Sequence, residues 1–97
     1  MTGLPGAEIV QEGLAALAEG RETLSALLVA MAATRLRRLG LPTPMNPPQA
    51  PELRLYRALC AEDPATAYGR YNSLRRRLDS FAAALEREQG KILRSQR

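Results

Sequence analysis

In the first part of the chain, apolar side chains recur at steps of four and three. Val10, Leu14 and Leu17 form one stripe, the spacing of a single helix face. Glu8 and Glu12 stand in or near its first turns, where the helix dipole favours negative charge. Gly20 follows Glu19 as a C-terminal cap would, and Thr23 stands where an N-cap would. These signals predict a second helix over Leu24–Leu39. Leu24, Leu27, Leu28 and Met31 line one side of it, but Val29, Ala32 and Leu36 lie elsewhere, and a helix apolar on most sides is a central, buried one. Arg35, Arg37 and Arg38, then Gly40 and Pro42, are agreeing stop signals. One rival stands: the stripe from Val10 through Arg21 to Met31 keeps a single heptad phase, which suits one long helix. Gly20 and Thr23 favour the break.

Five of the seven prolines fall at Pro42, Pro44, Pro47, Pro48 and Pro51. Proline lacks a backbone donor and clashes with the preceding turn, so residues 41–50 read as an extended, semi-rigid connector. Pro51 suits the first position of a third helix to about Ala61, with Leu55 and Leu59 on one face and Tyr56 and Cys60 beside them. Asp63-Pro64 then opens the longest helix, to about Gln89, with Gly90 as its stop. At 1.5 Å per residue it is about 39 Å long. Along it Ala67, Tyr71, Leu74, Leu78, Phe81 and Leu85 step four and three, the spacing of a seam that packs into a neighbour. The pattern predicts one all-α domain: a small four-helix bundle with a Pro-rich connector between helices 2 and 3 and a long C-terminal helix. Residues 7–39 form the N-terminal pair, 51–89 the second pair and 90–97 a tail. The second and fourth helices are expected to make the main antiparallel contact.

Composition narrows the chemistry. The 97 residues are 45% apolar and 25% charged, with four aromatic side chains, so Leu, Ile, Val, Met and Ala must build the core. The chain has no histidine and one cysteine, Cys60. This removes histidine acid–base catalysis, histidine-activated nucleophiles, histidine or multi-thiolate metal sites and an intrachain disulfide. No phosphate-cradling glycine motif is present. Glu62 and Asp63 read as helix-start charges, Glu86 and Glu88 as solvated side chains, and Cys60 as a small core residue. The expectation is a non-enzymatic protein with no cofactor or metal. Met1–Ala7 lacks the pattern of a signal peptide and Leu24–Ala33 is too short to span a bilayer. With 13 arginines to one lysine beside many Ala, Gly and Pro, a GC-rich bacterial source accounts for much of the basicity, and a cytoplasmic location is expected.

Two candidate binding features lie on the long helix. One flank carries Arg70, Ser73, Arg77, Ser80, Ala84 and Arg87, reaching Lys91 and Arg94 if the helix continues, and it contains no acid. The other, Asn72, Arg75, Asp79, Ala82, Glu86 and Gln89, mixes signs. An arginine row suits an acidic protein surface or a phosphate backbone; a solvated face covering apolar neighbours is the plainer alternative. Tyr68 and Tyr71 are candidates to stack on bases, although Tyr71 lies on the seam. The second feature is length. The last helix outruns the second by about 15 Å, so the seam at Phe81, Leu85 and Ile92 is expected to stay bare for a partner or a second copy. A protein-interaction module (adaptor, antitoxin- or inhibitor-like subunit, or small subunit of a complex) is the first expectation, and nucleic-acid binding along the arginine row is the second.

Overall fold

Two glycines in the left-handed conformation divide the N-terminal half. Gly20 has φ 74° and Gly40 has φ 87°. After each, the chain closes the preceding helix in the same way. Arg21 N–H donates to the Ala16 carbonyl at 2.8 Å and Gly20 N–H to Leu17 at 3.1 Å; Leu41 and Gly40 donate likewise to Leu36 and Arg37, both at 3.0 Å. These are paired six-to-one and five-to-two bonds of Schellman closures, which satisfy carbonyls that the helix end leaves open. In the computed structural model the backbone is described for residues 3–95 and side-chain surroundings for residues 3–90.

The described residues form five helices and no strand: α1 (Ala7–Ala18), α2 (Leu24–Met31), α3 (Ala33–Arg38), α4 (Pro51–Glu62) and α5 (Ala67–Ser95). The all-α class stands, and α1 and α2 are separate helices. Thr23 caps α2, its hydroxyl accepting from Ala26 N–H at 3.0 Å. Three boundaries differ from expectation. The segment Leu24–Leu39 is two helices, broken at Ala32 (φ −116°, ψ 23°), so the count is five rather than four. No proline or glycine stands there; the bend is a tertiary feature that keeps Leu36 in the core while Arg35 reaches α5. The last helix starts at Ala67, not Pro64, because Asp63 first closes a separate turn. Its carboxylate accepts from Ala65 N–H and from the Thr66 hydroxyl, both at 3.1 Å. Gly90 does not stop α5, which continues to Ser95; a single glycine weakens a helix by only about 1 kcal/mol.

The packing order also departs from expectation. α2 is central, but its main neighbours are α1 and α4, and it meets α5 over a shorter stretch. α1 can approach α2 closely because of Gly13, where a methyl group would overlap the Ser25 carbonyl oxygen and the Val29 side chain. The core gathers Val10, Leu14, Leu27, Leu28, Val29, Leu36, Leu55, Leu59, Leu78 and Phe81. α4 and α5 form a hairpin across the Asp63–Thr66 turn, and the 29 residues of α5, about 44 Å long, set the 51 Å long axis of the molecule.

Candidate interaction surface on helices α4 and α5

The later part of the sign-mixed flank of α5, from Asp79 to Gln89, faces α3 and the residue that follows it. Arg35 of α3 donates to Glu86 at 2.8 Å and lies 3.9 Å from Asp79, while Gln89 donates to the Leu39 carbonyl at 2.6 Å. Ala82, on the same flank, is buried. The hydrogen bond from Arg35 holds the Glu86 carboxyl below its ordinary range, and Glu86 in turn raises the Arg35 guanidinium. The pair lies in the open, so its stabilising effect is modest; its consequence is to fix α3 across α5. Sequence reading left Glu86 solvated because nothing local shows that Arg35, far away in the chain, meets it.

The apolar strip expected to stay bare is covered where it can be followed. Phe81 is fully buried and Leu85 is half-buried against the core. Two segments cover it that helix lengths do not reveal. The chain entering α1 crosses α5 so closely that a methyl group on Gly6 would sit 2.7 Å from the Arg77 carbonyl oxygen and 3.5 Å from Phe81 Cβ. α3 lies across the flank beyond. Ile92 falls outside the described side chains.

The arginine row is interrupted. Arg70 lies 3.5 Å from Glu62, and Ala84 is buried. Arg77 and Arg87 are exposed, with no carboxylate within 4.0 Å among the described residues. Lys91 and Arg94 lie outside the described side chains.

What sequence reading missed is a cluster on the opposite edge. Two of the three tyrosines, Tyr56 and Tyr71, meet where α4 faces α5, and the third, Tyr68, lies one turn before Tyr71. The rings of Tyr56 and Tyr71 are edge to face, centroids 5.9 Å apart and planes at 84°. The Arg75 guanidinium carbon sits 5.9 Å from the Tyr71 ring centre, within reach of a cation–π interaction. Tyr68, one turn before Tyr71, is 70% exposed, Tyr56 37% and Leu53 49%. Cys60 is half-buried beside Tyr56. The thiol's charge, when ionised, and then its hydrogen bond push the Tyr56 phenol above its ordinary value. The signal was there in spacing: Leu53, Tyr56 and Cys60 share one edge of α4, and Tyr68, Tyr71 and Arg75 share one edge of α5. The short turn at Asp63 makes those edges face each other.

Charge along this stretch of α5 is mostly positive. From Pro64 to Leu78 the chain carries Arg70, Arg75, Arg76 and Arg77 and no acid. No carboxylate lies within 4.0 Å of Arg57, Arg75 or Arg76 among the described residues. Asn72, Arg75, Arg76 and Asp79 line an open depression beside the tyrosines. A second groove, of about 500 Å³, runs by Met31, Thr34, Arg35, Arg38 and Pro47; its Arg35 already engages Glu86. Among the described residues no group of three acidic or thiol side chains is placed to hold a metal ion, and no helix is long and apolar enough to cross a membrane. Comparison with protein-family models, curated proteins and solved structures finds no match to this chain.

Proposed function

We propose that this chain is a non-enzymatic, cytoplasmic protein-interaction module that docks a partner protein on the tyrosine face of α4 and α5. The observation that carries this reading is the Tyr56–Tyr71 pair with Arg75 over the Tyr71 ring, flanked by exposed Tyr68 one turn to one side and exposed Leu53 one turn to the other. Tyrosine and arginine are the side chains that most often dominate protein–protein binding energy. Large apolar side chains scattered singly on a surface mean little, but these four share one patch. The rest of the fold serves to hold it: α2 supports α4, and the Asp63 turn sets the hairpin that brings the two edges together. This role is that of an adaptor, an inhibitor-like subunit or a small subunit of a larger assembly.

The test compares two folded variants in affinity capture from the host. Tyr68→Ser with Arg75→Ser alters the tyrosine face; Gln11→Ser with Glu12→Ser alters the outer face of α1. Specific, stoichiometric partners are expected to be lost only with the first. Equal retention by both would overturn the assignment of the face.

A second reading rests on Arg77 and Arg87, unpaired among the described residues: nucleic acid bound along the outer side of α5, with Lys91 and Arg94 next in the sequence row. It predicts a mobility shift that weakens steeply with salt. Absence of any shift at low salt removes it.

A further inference from the structure

Accepting that the tyrosine face is a docking site, we propose that its occupant is a short acidic amphipathic segment of another protein. Apolar side chains of that segment would seat on Tyr68 and on Leu53, either side of the Tyr56–Tyr71 pair, and flanking carboxylates would meet Arg75 and Arg76.

Three observations select this occupant. The first is charge complementarity. Arg75 sits over the Tyr71 ring with Arg76 beside it on α5, and neither has a carboxylate within 4.0 Å among the described residues. The same chain does pair Arg21, Arg35, Arg54 and Arg70 elsewhere. Fixed positive groups next to an apolar surface favour a partner of opposite sign and reject a basic one.

The second is extent. Acids bound the basic stretch, Glu62 and Asp63 before it and Asp79 after it. From Ala67 to Leu78 it runs about 17 Å at 1.5 Å per residue. That length matches two or three turns of a partner helix.

The third is the state of the rings. Tyr71 has Arg75 near its ring and meets Tyr56 edge to face, so only Tyr68 offers largely free ring faces. Binding of single strands uses several aromatic platforms in succession, and this face does not supply them. It supplies an anchor of apolar edges with hydroxyl and guanidinium donors around it, as a helix-in-groove contact uses. Tyr56 contacts Tyr71, so one turn further along each antiparallel helix Leu53 comes level with Arg75; apolar and cationic groups therefore alternate along the crevice.

The experiment measures binding of the full chain to four labelled probes by fluorescence anisotropy. They are a Glu/Leu amphipathic peptide of about 18 residues, the same peptide with every Glu replaced by Gln, its Lys-for-Glu counterpart, and an oligothymidylate of about 20 nucleotides. The acidic peptide is expected to bind at least about tenfold more tightly than the other three. Its affinity should fall as salt rises from about 50 to about 300 mM. Arg75→Ser with Arg76→Ser, and separately Tyr68→Ala, should each weaken it about tenfold, and Gln11→Ala should not.

Equal binding of the Gln or Lys peptide, tighter binding of the oligonucleotide, or no binding of the acidic peptide would overturn the acidic-segment assignment. None of these touches the capture comparison that tests the face itself. Concentration-dependent dimerisation abolished by Tyr68→Ala would also overturn it, by making a second copy the occupant.

Discussion

Gly13→Ala tests the packing that positions everything else. Gly13 lies in the middle of α1, where alanine is favoured over glycine by about 1 kcal/mol from backbone propensity alone. Were the site open, the substitution would stabilise the protein. The structure predicts the reverse. A methyl group there would lie 2.9 Å from the Ser25 carbonyl carbon and 2.5 Å from Val29 Cγ2, and would overlap the Ser25 carbonyl oxygen. Ordinary carbon–carbon contact needs about 3.5–4 Å, so α1 and α2 must separate by about an ångström. Val29 can repack, but the Ser25 backbone cannot without distorting α2. Separation unloads Val10, Leu14 and Val29, and overpacking against a backbone carbonyl falls at the upper end of the usual range, about 2–3 kcal/mol. The net expectation is a loss of about 1–2 kcal/mol after the propensity gain, and a fall in Tm of about 4–16 °C for a domain of this size. Urea and thermal unfolding followed by circular dichroism measure both. Gly13→Ala with Val29→Ala should not restore stability, because the carbonyl overlap remains. A Tm unchanged or raised in the single variant would refute the close α1–α2 crossing.

Other predictions follow from individual contacts. Phe81→Ala should destabilise by about 3–5 kcal/mol without changing oligomeric state, since the ring is core and not an exposed seam; sedimentation with denaturant unfolding checks both. Asp63→Ala removes the carboxylate that closes the turn before α5 and should cost about 1 kcal/mol in urea unfolding. Glu86→Gln should be less stable than wild type at neutral pH. The Glu86 carboxyl titrates lower in the folded protein than in the unfolded chain, so its contribution is present above the unfolded value, near pH 4.3, and is lost as pH falls through the folded value. The two unfolding curves should therefore converge in acid. Tyr68→Ser should change stability by no more than about 0.5 kcal/mol, since that ring is mostly exposed.

The helical class, the break at Gly20 and the Pro-rich connector could be read from sequence because each is a local matter: a stripe spacing, a cap or a missing donor. What escaped reading was long-range. The break at Ala32 has no local signature, since the α3–α5 contact through Arg35, Glu86 and Gln89 joins residues about fifty positions apart. Comparing helix lengths suggested a bare strip at Phe81 only because it ignored the chain before α1, whose path is held by close approach at Gly6. The tyrosine cluster was half legible. The pattern places Tyr71 within the apolar stripe of α5 and Tyr56 beside that of α4, but their meeting depends on the register of the α4–α5 hairpin, which the Asp63 turn fixes in three dimensions.

The central claim, that the tyrosine face of α4 and α5 is where a partner protein sits, is tested most directly by site-specific photocrosslinking in the host. A benzoylphenylalanine placed at position 68 should give one discrete, nuclease-resistant adduct with another polypeptide, and the same group at position 11 on the outer face of α1 should give none. No adduct at position 68, or the same adducts at both positions, would contradict it.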